Sequence, residues 1–131
     1  MTTNVVLVED DPDDRELFIE FYKDRSDIAL LPSSENGLEL IAYLENITEE
    51  GSLPHLIVLD QNMPKMNGKQ TLAFLKSSEK FSNIRVLVYS TYTDSNLIKE
   101  CMALGADGVA VKPIDYEGYQ KMMNTCLYNL E

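Results

Sequence analysis

Acids, hydroxyls and one lysine stand at four points of this chain, each at the end of a short apolar run. Glu9, Asp10 and Asp11 follow NVVLV, and Asp60 closes HLIVLD. Ser90 and Thr91 follow RVLVY, and Lys112 with Pro113 follows GVAV. Brought together, the carboxylates would repel: two of them about 4 Å apart cost roughly 4 kcal/mol at an effective dielectric near 20. Lys112 offsets only part of that. A hard divalent cation offsets more, and Mg²⁺ favours one or two carboxylates together with water and phosphate oxygens. Beside Asp60 this leaves a gap sized for an oxyanion, which a phosphoryl group fits. Aspartate can form an aspartyl-phosphate, so Asp60 is the candidate nucleophile. Lys112 and the cation would stabilise the equatorial oxygens of an in-line transfer, and the Ser90 hydroxyl would donate to the same oxygens.

Each of these residues also has a plainer use. A strand-end Asp such as Asp60 caps helices and shapes turns. Glu9 to Glu16 holds six acids in eight residues, and the helix dipole alone favours acids in a first turn. Ser90 could cap a helix and Lys112 could be a surface lysine. The chemical reading rests on Asp10, Asp60 and Lys112 reaching one rim together.

The elements that would bring them there are legible as a pattern. Asn4–Val8, Ile28–Leu31, His55–Asp60, Arg85–Tyr89 and Gly108–Val111 are apolar, β-branched-rich and too short for helices. Between them lie helix-period stretches. Asp13–Asp24 carries Leu17, Phe18 and Phe21; the next carries Leu38, Ile41, Leu44 and Ile47; Gly68–Lys76 carries Leu72 and Leu75. Asp94–Leu104, opened by an Asp-Ser cap signal and stopped by Gly105, carries Leu97, Ile98, Cys101 and Leu104. The last has Tyr116, Tyr119, Met123, Cys126 and Leu130 at 3-4-3-4 spacing, a packing stripe that also permits a weak homodimer. Five strands alternating with five helices predict a doubly wound α/β fold, with helices on both faces of a parallel sheet. Ligands of such sheets sit at the carboxyl ends of the strands, where all the candidate residues fall. Thr48–Pro54 is the longest connector and reads as a surface insertion.

Composition narrows the function classes. The chain has 131 residues, 44% hydrophobic and 25% charged, which predicts one globular domain over 1–131. With 22 acids against 11 bases the net charge is −11, which argues against nucleic acid and anionic membrane as partners. No apolar run reaches the length of a membrane span and no basic n-region opens the chain, so the expected location is the cytoplasm. Two cysteines and one histidine leave little from which to build a zinc site. Asp10–Glu16 lacks the glycine and final acid of an EF-hand, and there is no glycine-rich phosphate loop. His55 falls at the N-terminal end of its strand, away from the acids, and reads as structural.

With these residues in view, the chain resembles the receiver domain of two-component response regulators, in particular stand-alone, chemotaxis-regulator-like receivers. The resemblance is carried by VLVEDDPDD (Val6–Asp14), LIVLDQNMPKMNG (Leu56–Gly68), VLVYST (Val86–Thr91) and GADGVAVKP (Gly105–Pro113). It implies a flavodoxin-like (βα)5 sheet with strand order 2-1-3-4-5. It implies that Asp60 accepts the phosphoryl group and that Asp10 binds Mg²⁺, or Mn²⁺, directly. Glu9 would bind the ion through water and Asn62 through its backbone carbonyl. Ser90 matches the switch hydroxyl, Thr91 the next residue of the phosphoryl-site loop, and Lys112-Pro113 the family's lysine-proline pair. Met63-Pro64 and Gly68 match the loop that shapes the site. One position departs: three residues before the lysine, where an inward-swinging aromatic is common, stands Val109, leaving Tyr89 and Tyr92 as the nearby aromatics.

The resemblance implies a phosphorylation-activated switch in a phosphorelay. The donor would be a histidine kinase or histidine phosphotransfer protein, and a separate downstream protein would read the face of helix four, strand five and helix five. The domain would catalyse only its own phosphotransfer and dephosphorylation. Three rival functions make different demands on these residues. A metal-dependent phosphohydrolase working through Asp60 would want a second acid where Gln61-Asn62 stand. A phosphorylation-independent binding module would have no need of the intact acid, hydroxyl and lysine set. A flavin carrier would want a neutral phosphate loop where Glu9–Asp14 is acidic.

Overall fold

The first strand and first helix already show how this chain builds its layers. The computed structural model describes residues 2–128. Strand β1 (Thr3–Val8) is followed by α1 (Pro12–Tyr22), then β2 (Ile28–Leu30), α2 (Gly37–Glu45) and a 3₁₀ turn at Glu50–Ser52. The second half runs β3 (Leu56–Asp60), α3 (Gly68–Ser77), β4 (Arg85–Ser90), α4 (Ser95–Ala103), β5 (Gly108–Val111) and α5 (Tyr116–Tyr128). Every pairing is parallel, and the five strands lie in the order β2-β1-β3-β4-β5. The Thr48–Pro54 connector contains the 3₁₀ turn and is not wholly irregular.

Because successive strand side chains alternate faces, each strand feeds two cores. On one face Val6, Val8, Ile57, Leu59, Val86 and Val88 pack under α2, α3 and α4 with Leu40, Leu44, Leu72, Leu75 and Cys101. On the other, Val5, Leu7, Leu56, Val58, Leu87 and Tyr89 pack under α1 and α5 with Phe18, Tyr22, Tyr119 and Met123. Burial on both faces explains why the central strands read as unbroken apolar runs. Burying each such side chain fully is worth about 1.5–3 kcal/mol. The α1–α5 seam adds specific contacts: Phe18 meets Tyr119 edge-on at 6.5 Å between ring centroids, and Gln120 Nε2 donates to the Phe21 carbonyl.

Side chains at the helix starts satisfy the first N–H groups. Asp11 caps α1 through Asp13 N at 2.8 Å, with Pro12 in the first turn. Asn36 caps α2, Asn67 and Gln70 form a capping box on α3, and Asp94 caps α4. Past α4, Gly105 takes φ 103°, a left-handed conformation that suits glycine at a helix stop.

Three helical stripes differ from the periodicity expectation. In α1, Phe18 is buried and Phe21 half-buried, but Leu17 is 43% exposed. In α2, Leu40 and Leu44 face the core, while Leu38 is 52% exposed. In α4, Cys101 is buried and Leu97 half-buried, but Ile98 and Leu104 are exposed. Each helix lies over only one face of the sheet, so an apolar residue one position off the contact line turns outward. In α5, Tyr119 and Met123 are buried and Cys126 half-buried; Tyr116 is largely exposed, though its ring meets Phe21 edge-on at 5.5 Å. Leu130 lies outside the described residues.

Candidate functional site

The alternation that builds the second core also builds the site. Asp60 pairs with Tyr89 and Tyr89 with Ala110 across neighbouring strands. Val8 pairs with Leu59, so Glu9 emerges one residue beyond β1 beside Asp60. Two residues past Ala110, Lys112 returns to the same face. Glu9, Asp60, Tyr89 and Lys112 therefore share the α1/α5 side of the sheet at its carboxyl edge. Backbone bonds hold the rim: Glu9 N donates to Ser34 O at 2.9 Å, Gln61 N to Tyr89 O at 3.0 Å and Lys112 N to Ser90 O at 2.8 Å.

One oxygen each from Glu9, Asp10 and Asp60 lies within 4.8 Å of the others. Glu9 has no solvent exposure and Asp60 only 2%. The Lys112 ammonium lies 2.9 Å from Glu9 Oε1, 2.9 Å from Asp14 Oδ2 and 3.6 Å from Asp60 Oδ1. It also sits 5.0 Å from the centre of the Tyr89 ring. The Tyr89 hydroxyl donates to the same Glu9 oxygen at 2.7 Å, and Asp11 N donates to the other at 3.2 Å.

The two buried acids therefore part company. For Asp60, burial, then a hydrogen bond with Glu9 and the Glu9 charge, raise the carboxyl to about pKa 7 against the pull of Lys112 and Asn62 N. For Glu9, burial pushes upward, but hydrogen bonds from Tyr89, Asp60 and Lys112 outweigh it and hold the carboxyl below its ordinary range. Burial works against the Lys112 charge, but its bonds to Glu9 and Asp14 and the nearby Asp60 charge raise its pKa. One ammonium thus faces three carboxylates. The uncompensated charge is borne by hard oxygen donors at the mouth of the site, a donor set that suits Mg²⁺ or Mn²⁺.

The hydroxyl arm stands beside the acids. Ser90 is buried at the end of β4, and its Oγ accepts from Asn62 Nδ2 at 3.3 Å and from Tyr92 N at 3.4 Å. Asn62 N donates to Asp60 Oδ1 at 3.2 Å, so the β3 and β4 loops meet at the candidate nucleophile. Thr91 lies exposed on the loop past Ser90. Val109 packs against the α2/α3/α4 core, on the face opposite Tyr89. Tyr92 is 73% exposed, so Tyr89 is the aromatic that enters the acid cluster. The His55 imidazole accepts from Asn4 N at 2.8 Å and holds the opposite edge of the sheet.

Two contacts are not visible in the sequence. Asp14 belongs to the acid run Glu9–Glu16, and only the fold shows that it sits in the first turn of α1 and reaches Lys112. Tyr89 is one of the aromatics near the site, and only the register that sets it opposite Asp60 brings its hydroxyl to Glu9.

The model of the response regulator receiver domain family matches residues 5–124. The nitrate/nitrite response regulator protein NarL of Escherichia coli strain K12 is 30% identical over 120 residues, which cover 92% of this chain and 52% of NarL. The two-component response regulator ORR1 of Oryza sativa subsp. japonica is 27% identical over 128 residues, covering 93% of this chain and 54% of ORR1. The chain thus spans about half the length of these curated relatives. Among solved structures, the Mn²⁺-bound form of response regulator Rcp1 superposes with TM-score 0.83 at 27% identity, covering 98% of this chain and 97% of that one. The phosphorylated cyanobacterial phytochrome response regulator RcpA gives TM-score 0.85 at 25% identity, covering 100% and 98%. No helix among the described residues is long and apolar enough to cross a membrane.

Proposed function

Because the chain belongs to the response regulator receiver-domain family, we propose that it is a phosphorylation-activated switch whose phosphoryl acceptor is Asp60. The observation that carries the assignment is the gathering of Asp60 with Glu9 and Asp10, one oxygen of each within 4.8 Å of the others, and with the Lys112 ammonium at 3.6 Å. Glu9, Asp10, Asp60 and the Asn62 carbonyl would hold a Mg²⁺ ion, or Mn²⁺ as in the Rcp1 relative. The bound ion would neutralise charge on the transferring phosphoryl oxygens.

In the transfer, an Asp60 carboxylate oxygen attacks phosphorus. The P–N bond of a phosphohistidine donor breaks, and its electron pair returns to the imidazole nitrogen, which takes up a proton. Lys112 and the Ser90 hydroxyl stabilise the negative oxygens as they spread into the plane. Thr91, on the same loop, lines the phosphoryl group. Hydrolysis later adds water at phosphorus, releasing inorganic phosphate and restoring the Asp60 carboxylate. The new group carries three acceptor oxygens, and Ser90 leaves Asn62 to reach them. That movement passes through the β4–α4 loop to the face of α4, β5 and α5, where a separate protein would read it. Its donor is a histidine kinase or histidine phosphotransfer protein, and its catalysis is confined to its own acyl-phosphate. A cytoplasmic location suits these partners.

The test is intact mass after incubation with acetyl phosphate. Wild type gains one phosphoryl adduct that requires Mg²⁺, and Asp60→Asn gains none. An adduct retained by Asp60→Asn would refute the assignment, and catalytic turnover of small phosphate esters would favour a phosphohydrolase.

A further inference from the structure

Lys112 has more carboxylates than its reaction needs. Glu9 and Asp60 belong to the rim, but Asp14 comes from α1, 98 residues away in sequence, and meets the ammonium as closely as Glu9 does. Asp14 is not occupied with capping, since Asp11 is the N-cap of α1. Its consequence is geometric. An ammonium has three protons to donate. Glu9 and Asp14 each take one at 2.9 Å, and Asp60 stands at 3.6 Å, within ion-pair range but beyond a good hydrogen bond.

We propose that Asp14 is a positioning residue that draws Lys112 toward α1 in the resting protein and yields it to the phosphoryl group when Asp60 is modified. The inference rests on the receiver reading above. Burial decides which carboxylate lets go. The Glu9 side chain has no solvent exposure and cannot replace Lys112 with water. The Asp14 side chain is 26% exposed, so water can solvate it as the ammonium leaves. It also lies in the first turn of α1, where the helix dipole supports its charge without a partner. Asp14 therefore sets how readily Lys112 reaches Asp60, and it ties the start of α1 to the state of the site.

The experiment measures the rate of acetyl-phosphate modification of the full chain by intact mass, with Mg²⁺ titrated in parallel. Asp14→Asn accelerates modification by about three- to tenfold, the effect of weakening one partly exposed ion pair. Its Mg²⁺ midpoint stays within about twofold of wild type, because no ion ligand is altered. Asp13→Asn removes the same charge from an exposed neighbour and leaves the rate unchanged. In a Lys112→Ala background, read at raised donor concentration, Asp14→Asn has no further effect. An unchanged rate in Asp14→Asn overturns the proposal. So does equal acceleration in Asp13→Asn or in the Lys112→Ala background, which would assign the effect to weaker repulsion of the anionic donor. Failure of wild type to form any Mg²⁺-dependent adduct would overturn the receiver reading itself, and this inference with it.

Discussion

At the scale of single residues, a buried carboxylate survives only if its lone pairs are used, and Glu9 meets that condition through Tyr89 and Lys112. Tyr89→Phe keeps the ring that packs under α1 and α5 and removes only the donor. The expected cost is about 1–3 kcal/mol, the usual penalty for an unpaired buried acceptor, read as a lower urea midpoint at unchanged slope. The candidate acids and lysine were legible because such types rarely end apolar strands without use. The bond from the Tyr89 hydroxyl to Glu9 was not, since tyrosine in a strand is ordinary and its partner is 80 residues away. Asp14 was hidden for the opposite reason: it stands among five other acids of the Glu9–Glu16 run, and sequence alone does not say which of them points inward.

At the scale of elements, the loop from β3 to α3 fixes where Asp60 points. Gly68 opens α3 so close to β3 that an added Cβ would lie 2.8 Å from Asp60 O and 2.9 Å from Gln61 Cα, both backbone atoms. Neither can swing aside. Gly68→Ala should therefore cost about 1–3 kcal/mol of stability by urea titration and also slow Asp60 modification, because the loop must shift. A loss of stability with an unchanged modification rate would show that the strain relaxes away from the site. The strands were read nearly to the residue, because two-sided burial writes itself as continuous Val, Leu and Ile. The helix faces were read less well. In a nine-residue helix such as α2, Leu38 and Leu40 both fit an apolar stripe, and only the tilt of the helix on the sheet buries the second.

At the scale of the molecule, a chain of net charge −11 gathers Glu9, Asp10 and Asp60 at one edge of the sheet, and that cluster makes stability depend on pH and cations. Asp60 keeps its proton to about pH 7 in the folded chain, whereas an unfolded Asp loses it near pH 4. Between these values the folded state binds more protons, so stability falls as pH rises through that window. In EDTA, urea midpoints from pH 5 to 8 should record a loss on the order of 2 kcal/mol. Asp60→Asn should remove most of that slope, and millimolar Mg²⁺ should flatten it in wild type. A slope retained in Asp60→Asn would place the responsible group elsewhere. The seam between the first and last helices has a further consequence, for synthesis. Glu9, Asp14 and Asp60 are all synthesised before Lys112, by several seconds at about 5–20 residues per second. Through that interval β1 and α1 lack the α5 cover that Tyr119 and Met123 supply, and the acids lack their cation. The nascent chain therefore cannot complete its reactive edge until the last strand and helix arrive, so no half-made copy presents a finished acceptor to a donor.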